Sequence, residues 1–160
     1  MSKVYIFGEA HTNPENIAYI ADRIRAIRPK VILHELLYTD IVTSERVLRE
    51  RLSRCDGTGP CDPKLNKDIY ELGLEVKAQL IGIDITVRSK GLEQRLKGRE
   101  AHMLAIIERY LTHQGPVVVV VGDIHLREQS NPELGEASIL QTLAPRAIIE
   151  RAPVHLREAK

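Results

Sequence analysis

The sequence is poor in aromatic residues: it has no tryptophan, one phenylalanine and five tyrosines among 160 residues. Proteins that hold unpaired bases stack them on aromatic side chains interleaved with basic ones, and this chain lacks such a set. Its charge is also balanced, because 23 lysines and arginines are matched by 22 aspartates and glutamates. A balanced charge creates no long-range attraction to nucleic acid or to an anionic membrane. We therefore expect no nucleic acid partner and no membrane partner.

Long apolar runs are also missing. The longest, Val117 to Val121, is far shorter than the roughly 20 residues that a membrane-spanning helix needs. The opening run, Val4 to Phe7, is too short for the apolar part of a signal peptide. These features predict a soluble, cytoplasmic protein.

Cysteine is scarce, with only Cys55 and Cys61, and both lie in a segment rich in glycine and proline. Two loop thiols in a reducing compartment are the favoured interpretation, although a disulfide or half of a metal site stays open. The composition of this segment predicts a mobile surface loop near residues 54–64.

Short β-branched runs alternate with longer helical ones, which is typical of repeated βαβ units. The pattern predicts a single α/β domain over residues 1–160, with an open, mostly parallel sheet of about five strands and helices on both faces. The predicted strands are Val4–Phe7, Val31–Leu33, Leu80–Ile85, Val117–Val121 and Ala147–Ile149. The predicted helices are Pro14–Ile27, Ile41–Leu52, Lys67–Lys77, Leu92–Thr112 and Glu136–Leu143.

Ionisable side chains lie at the ends of nearly all the predicted strands. Ligands of open parallel sheets bind beyond the carboxyl ends of the strands, so these side chains are candidates for one site. Each one alone could equally be a helix cap or a hydrogen-bonded packing residue, but convergence on one sheet edge favours a site. The candidates are Glu9 and His11, then His34 and Glu35, then Asp84, and finally Asp123 and His125.

Two of these ends share the pattern Gly-x-x-His, at Gly8-Glu9-Ala10-His11 and at Gly122-Asp123-Ile124-His125. Glycine after an apolar strand is expected to let the backbone turn sharply and to keep the ligand-facing edge open. The acid and the histidine of each motif can then reach the same space.

One arginine interrupts an apolar helix face. Arg99 falls within a stripe of apolar residues spaced by three and four along the predicted helix 92–112. A guanidinium there needs a partner, and the carboxylates at the strand ends are the expected ones, although a side chain that reaches the surface is the alternative. Glu100 and His102 on the same helix are not included in the predicted site.

This set of residues supports two kinds of hydrolytic chemistry. Two histidines with one or two carboxylates commonly bind zinc, manganese or iron, which makes hydroxide available near neutral pH. The predicted ligands of such a divalent ion are His11, Glu35, Asp123 and His125. Without a metal, a histidine oriented by a carboxylate could deprotonate water while Arg99 stabilises the tetrahedral intermediate. The residues alone do not separate these alternatives.

The motifs resemble the superfamily that joins the TraB and Tiki proteins, the erythromycin esterases and the ChaN-like haem-uptake proteins. The segment from Gly8 to Pro14 is similar to the ChaN-type Gly-Glu-x-His-x-Asn-Pro start, and Glu35 follows the second strand as in that superfamily. Arg99 with Met103 is similar to its Arg-x-x-x-Met helix, and Val118 to Leu126 is similar to its second Gly-x-x-His element. The resemblance covers about residues 4–127. It implies a catalytic site made from Glu9, His11, Glu35, Arg99 and His125, with Asp84 and Asp123 nearby.

The activities of this superfamily differ, so the resemblance does not select a substrate. Tiki proteins are metal-dependent peptidases, erythromycin esterases hydrolyse a macrolide lactone, and ChaN binds haem. We expect a metal-dependent hydrolase that cleaves an ester or amide in a small-molecule or peptide-like substrate. The alternative is a protein that binds haem or a similar anionic ligand without turnover, and a third interpretation is a degenerate interaction module.

Overall fold

Six strands form one sheet in the computed structural model, which describes residues 3–54, 65–85, 92–126 and 139–151. The strands are β1 (Val4–Glu9), β2 (Val31–His34), β3 (Ile41–Val42), β4 (Gln79–Gly82), β5 (Val117–Gly122) and β6 (Ile148–Arg151). Their order across the sheet is β3-β4-β2-β5-β1-β6. All neighbouring pairs are parallel except β3 with β4, which is antiparallel.

The described residues form five helices between these strands. They are α1 (Pro14–Ile27), α2 (Glu45–Arg54), α3 (Leu65–Val76), α4 (Leu92–Tyr110) and α5 (Ile139–Leu143). A short 3₁₀ turn follows each of two central strands, Glu35–Leu37 after β2 and Asp123–Leu126 after β5. The predicted α/β class and mostly parallel sheet are confirmed.

Helices cover both faces of the sheet, as predicted. Successive residues of a strand point to opposite faces. One row, which includes Phe7, Ile32 and Val120, packs in the core with α1, α2 and α3. The other row, which includes Ile6 and Leu33, packs with α4 and α5.

The prediction of a helix from Ile41 to Leu52 is wrong in its first residues, and the sheet has six strands instead of about five. Ile41 and Val42 pair with β4 at the edge of the sheet, because two β-branched residues in extended backbone can complete its hydrogen bonds. The helix begins at Glu45, where the Ser44 hydroxyl accepts a hydrogen bond from the Val47 amide. The third predicted strand, Leu80–Ile85, is also shorter in the structure, and β4 ends at Gly82.

Helix α1 has the start that its sequence predicts. The Asn13 side chain accepts from the amides of Glu15 and Asn16, and Pro14 occupies the first helical position. Among the described helices, none is long and apolar enough to cross a membrane. Cys55, Cys61 and the predicted mobile loop lie outside the described residues, apart from Arg54, which ends α2.

Candidate functional site

The candidate site lies above the carboxyl end of β5, between the ends of β1 and β2. Gly122 ends β5 and has no side chain, so its neighbours fill the space above it. A Cβ at Gly122 would lie 3.2 Å from Glu35 Oε2, 3.3 Å from His11 Nε2 and 3.7 Å from His125 Cδ2. Three of the predicted site residues therefore meet over this one glycine.

Glu9 and His11 form a close pair. Glu9 is buried and its Oε1 lies 2.8 Å from His11 Nδ1. Burial raises the pKa of Glu9, but the hydrogen bonds and charges of His11 and His34 outweigh it and hold that pKa at about 2. The bond to Glu9 in turn raises the pKa of His11, against the effect of burial. The His11 side chain remains 33% exposed, so it is the member of the pair that a ligand can reach.

The turn that carries His11 is fixed from α1. Asn16 is buried, and its Oδ1 accepts a hydrogen bond of 2.9 Å from the amide of Ala10. The amide of Asn13 donates to the Ala10 carbonyl at 2.9 Å. The backbone on both sides of His11 is therefore held in place before any ligand arrives.

His34 belongs to the same group; it was one of the strand-end candidates, but it was not among the predicted catalytic residues or metal ligands. It is buried, its Nδ1 accepts from the Leu36 amide at 3.2 Å, and its Nε2 lies 3.6 Å from Glu9 Oε2. Because Nδ1 accepts, the ring proton is on Nε2 and faces Glu9. The sequence contains a signal for this position. Side chains two residues apart along a strand point to the same face, so His34 points to the same face as Ile32, which is also the face of Glu9.

Arg99 joins two buried carboxylates. Its Nε and Nη2 donate to the two oxygens of Asp84 at 2.8 and 2.6 Å, and Nη2 also donates to Glu35 Oε1 at 2.9 Å. The bond to Asp84 is the main cause that raises the pKa of Arg99. The expected pairing of this arginine with strand-end carboxylates is therefore present, because Met103 and Ile107 of the same helix pack into the core and bring Arg99 to the sheet edge.

Glu35 is the central carboxylate of the site. Its Oε2 accepts from the Gly122 amide at 2.5 Å, and its Oε1 lies 3.3 Å from His125 Nε2. Burial raises the pKa of Glu35, but His125, the Gly122 amide and Arg99 outweigh it and lower the pKa to about 2. Glu35 therefore links β2, β5, α4 and the turn after β5.

His125 is buried between two carboxylates. Its Nδ1 lies 2.9 Å from Glu100 Oε1, while its Nε2 faces Glu35. Burial lowers the pKa of His125, but Glu100 and Glu35 outweigh it and raise the pKa to about 9. Sequence reasoning left Glu100 out because consecutive helix residues point about 100° apart, so Arg99 on the inner face did not imply its neighbour.

Asp123, predicted as a metal ligand, lies apart from the other three. It is exposed, and its Oδ1 is 2.6 Å from where a Cβ of Gly8 would be. Successive residues of a strand point to opposite faces of the sheet. The position beside Gly8 is therefore on the α4 and α5 face, opposite to the face of the Glu9 side chain. Within the described part of the chain, no hydrogen bond joins Asp123 to His11, Glu35 or His125.

The sharp turn expected at the two glycines is present at only one of them: a 3₁₀ turn begins directly after Gly122, the last residue of β5, whereas Gly8 lies inside β1 and no turn follows it there. Their role is to leave space. Gly8 makes room for Asp123 and Leu126, whereas Gly122 makes room for the three side chains of the site.

The donor groups over Gly122 suit a divalent metal ion. Each of His11 and His125 has its Nδ1 on a carboxylate, as is usual for histidines that bind metal. The His11 Nε2 lies near Gly122, and the His125 Nε2 lies 3.3 Å from Glu35 Oε1. In the described ranges, no group of three His, Cys, Asp or Glu side chains is arranged so that it could hold a metal ion. The oxygens of Glu35 are engaged by Arg99, His125 and Gly122.

Comparisons with known proteins bear on the fold. No protein-family model matches the chain, and no curated protein matches it. A solved structure described as "Bacterial protein toxins" matches with a TM-score of 0.60 and 15% identity over 94% of this chain. The match covers 34% of that structure, so this chain spans about a third of its length. At this level of identity the similarity shows the fold alone: the chain has an α/β architecture also found in that structure.

Proposed function

We propose that the protein is a hydrolase of esters or amides that uses a divalent metal ion held by His11, His125 and Glu35. The observation that carries the proposal is the matched orientation of the two histidines. Two imidazoles from distant parts of the chain are each fixed at Nδ1 by a carboxylate, Glu9 or Glu100, and both approach Gly122. A role in packing alone would not require two such arrangements in one place.

The charge of the cluster supports a cation. Among the described residues, four carboxylates, on Glu9, Glu35, Asp84 and Glu100, accompany one guanidinium, on Arg99. With neutral histidines, the sum over these groups is −4 + 1 = −3, and a divalent cation would bring it to −1. A buried excess of negative charge costs stability unless it is neutralised. At neutral pH the proton on His125 supplies part of this compensation, and that proton must leave before Nε2 can bind a metal.

In this proposal, each residue of the site has its own role. A metal ion bound here would lower the pKa of a bound water to about 7 and supply hydroxide. Glu9 holds the Nδ1 proton of His11 and so fixes which nitrogen faces the substrate. Arg99 positions Glu35, since its Nε and Nη2 are already used by Asp84 and Glu35. This assigns Arg99 a structural task in place of the expected contact with the tetrahedral intermediate.

The decisive experiment combines elemental analysis of the purified protein with hydrolysis of 4-nitrophenyl esters and anilides. We expect one zinc, manganese or iron per chain, and we expect His11→Ala and His125→Ala to lose both the metal and the activity. His102→Ala on α4 is the matched control, because this half-buried histidine is not part of the cluster. Metal retained in both site variants would overturn the proposal.

The same preparation tests the alternatives. Activity that survives a chelator but is lost in His11→Ala would favour the metal-free mechanism. Haem added to the protein tests the binding alternative, which predicts a stoichiometric absorbance change and no turnover.

A further inference from the structure

A cavity of about 770 Å³ lies between α1 and α3, on the sheet face that carries Ile32 and Val120. Its floor is part of the buried core, where Ile20 and Ile24 also lie. Its walls are half-buried side chains from both helices, such as Ile17 and Leu72. The two helices thus leave a space over the sheet that the described core does not fill.

This cavity is continuous with the candidate site. Glu9, His11 and His34 line one end of it. Glu9 and His34 are buried, whereas a third of the His11 side chain is exposed. A molecule in the cavity would therefore meet His11 at its inner end, next to Glu35 and Gly122.

The walls select an aliphatic occupant. The apolar lining consists of isoleucine, leucine, valine, alanine and proline, with no phenylalanine, tyrosine or tryptophan among the described residues that line it. Ligand sites typically enclose 300–1,000 Å³ with mostly apolar walls and a few polar groups at fixed places, and this cavity has that form. The α1 stripe from Ile17 to Ile24 extends for about 10 Å along the helix, so a chain of medium length can lie against it.

The end away from His11 disfavours an anion. Glu75 of α3 lines it together with Arg25 of α1. The Arg25 guanidinium is already engaged, because its Nε donates to Glu75 at 2.9 Å and its Nη1 to Asp22 at 2.9 Å. The remaining charge at this end is negative, so a carboxylate on the tail of a ligand would be repelled.

We propose that this cavity binds an uncharged aliphatic chain of the substrate, an acyl or alkyl group, and that it places the ester or amide bond beside His11. The inference rests on the proposed function, since the occupant is identified by its continuity with the hydrolytic site. It names the substrate class: esters or amides with a straight, medium-length aliphatic chain.

The test measures binding without turnover. Straight-chain alcohols from butan-1-ol to octan-1-ol carry no bond to hydrolyse, and they are titrated into the full chain labelled at its isoleucine methyl groups. We expect NMR shifts at Ile17, Ile20 and Ile69, with none at Ile81 or Ile83 in the other core layer. Affinity should rise by up to roughly fourfold for each added methylene, because each buries further apolar surface. The anionic 8-hydroxyoctanoate should bind at least tenfold more weakly than octan-1-ol, since carboxylates line both ends.

Two alanines of α1 give a matched pair of variants. Ala21 is half-buried and lines the cavity, whereas Ala26 is exposed and does not. We expect Ala21→Phe to weaken octan-1-ol binding at least tenfold and Ala26→Phe to leave it unchanged. Ala18→Leu, on the exposed part of the lining, should weaken it about threefold if Ala21→Phe fails to fold. Circular dichroism and the Ile81 and Ile83 resonances check that each variant is folded.

Absence of binding, an affinity independent of chain length, or shifts that persist in folded Ala21→Phe would overturn this inference. None of these results depends on the metal or on turnover. Failure of the cavity proposal is therefore separable from failure of the proposed hydrolase function.

Discussion

The two Gly-x-x-His motifs have the same spacing but different structures. In the first, His11 is partly exposed and is oriented by Glu9 of its own motif. In the second, His125 is buried and is oriented by Glu100 from α4. The first motif is thus a local unit open to ligand, whereas the second depends on tertiary packing. Four residues alone do not determine which role a motif takes.

The largest effect is expected for the packing around the second motif. Arg99→Ala leaves Asp84 and Glu35 buried without their cation, and removal of one partner of a buried ion pair costs about 3–5 kcal/mol. Urea denaturation should show this loss in the free energy of unfolding. Arg109→Ala, at an exposed position of the same helix, is the control and should change it little. A loss below about 1 kcal/mol for Arg99→Ala would contradict the structural task assigned to this residue.

The next effect concerns the carboxylates that orient the two histidines. Glu9→Gln and Glu100→Gln should each weaken metal binding about 10–100-fold, the usual result when the carboxylate partner of a metal-binding histidine is changed. Calorimetric titration of zinc into the metal-free protein measures this. If only Glu9→Gln has an effect, the second motif does not hold the metal and the proposed ligand set is wrong.

Substitution of the two glycines should have different effects, because the space beside Gly8 is filled by packed side chains and the space above Gly122 by the side chains of the site. In Gly8→Ala the new Cβ would lie 2.6 Å from Asp123 Oδ1 and 3.0 Å from Leu126 Cδ1, so we expect about 1–3 kcal/mol of destabilisation from overpacking. In Gly122→Ala the nearest atoms are functional groups at 3.2 and 3.3 Å, so we expect a smaller loss of stability and a weaker metal affinity. Thermal unfolding and zinc titration of both variants test this contrast, and identical profiles would contradict it.

The last effect is the pH dependence of stability in the metal-free protein, which needs no substitution to measure. The pKa of Glu35 is about 2 in the folded chain against 4.5 ordinarily, so its contribution is present above pH 4.5 and is lost as the pH falls through 2. The pKa of His125 is about 9 against 6.5, so its contribution is present below pH 6.5 and is lost as the pH rises through 9. Unfolding measured at several pH values should therefore show a maximum between pH 4.5 and 6.5. His125→Gln should flatten the alkaline side more than His11→Gln, because His11 is more exposed; equal effects would count against the contrast between the motifs.

The sequence predicts the fold and the first motif well because both depend on local patterns. Alternating apolar runs identify the parallel sheet, and Glu9 precedes His11 by two residues, so their proximity is built into the chain. The pairing of Arg99 is predictable because a charge within an apolar stripe needs a partner.

Other features need the tertiary structure. Glu100 contacts His125 from a different element, and no spacing along the chain relates the two. Ile41 and Val42 are too short a run to distinguish a strand from the start of a helix. Whether Asp123 belongs to the site depends on the face of the sheet on which its carboxylate lies. The packing of that carboxylate beside Gly8 determines the face, and the sequence does not show this packing.

The hydrogen bond from the Gly122 amide to Glu35 offers a spectroscopic reporter. The amide proton is donated to a buried carboxylate, where water has little access. A proton so placed should exchange slowly with solvent. Its chemical shift would follow every change in the partners of Glu35, so one backbone resonance can report on occupancy of the site in the intact protein.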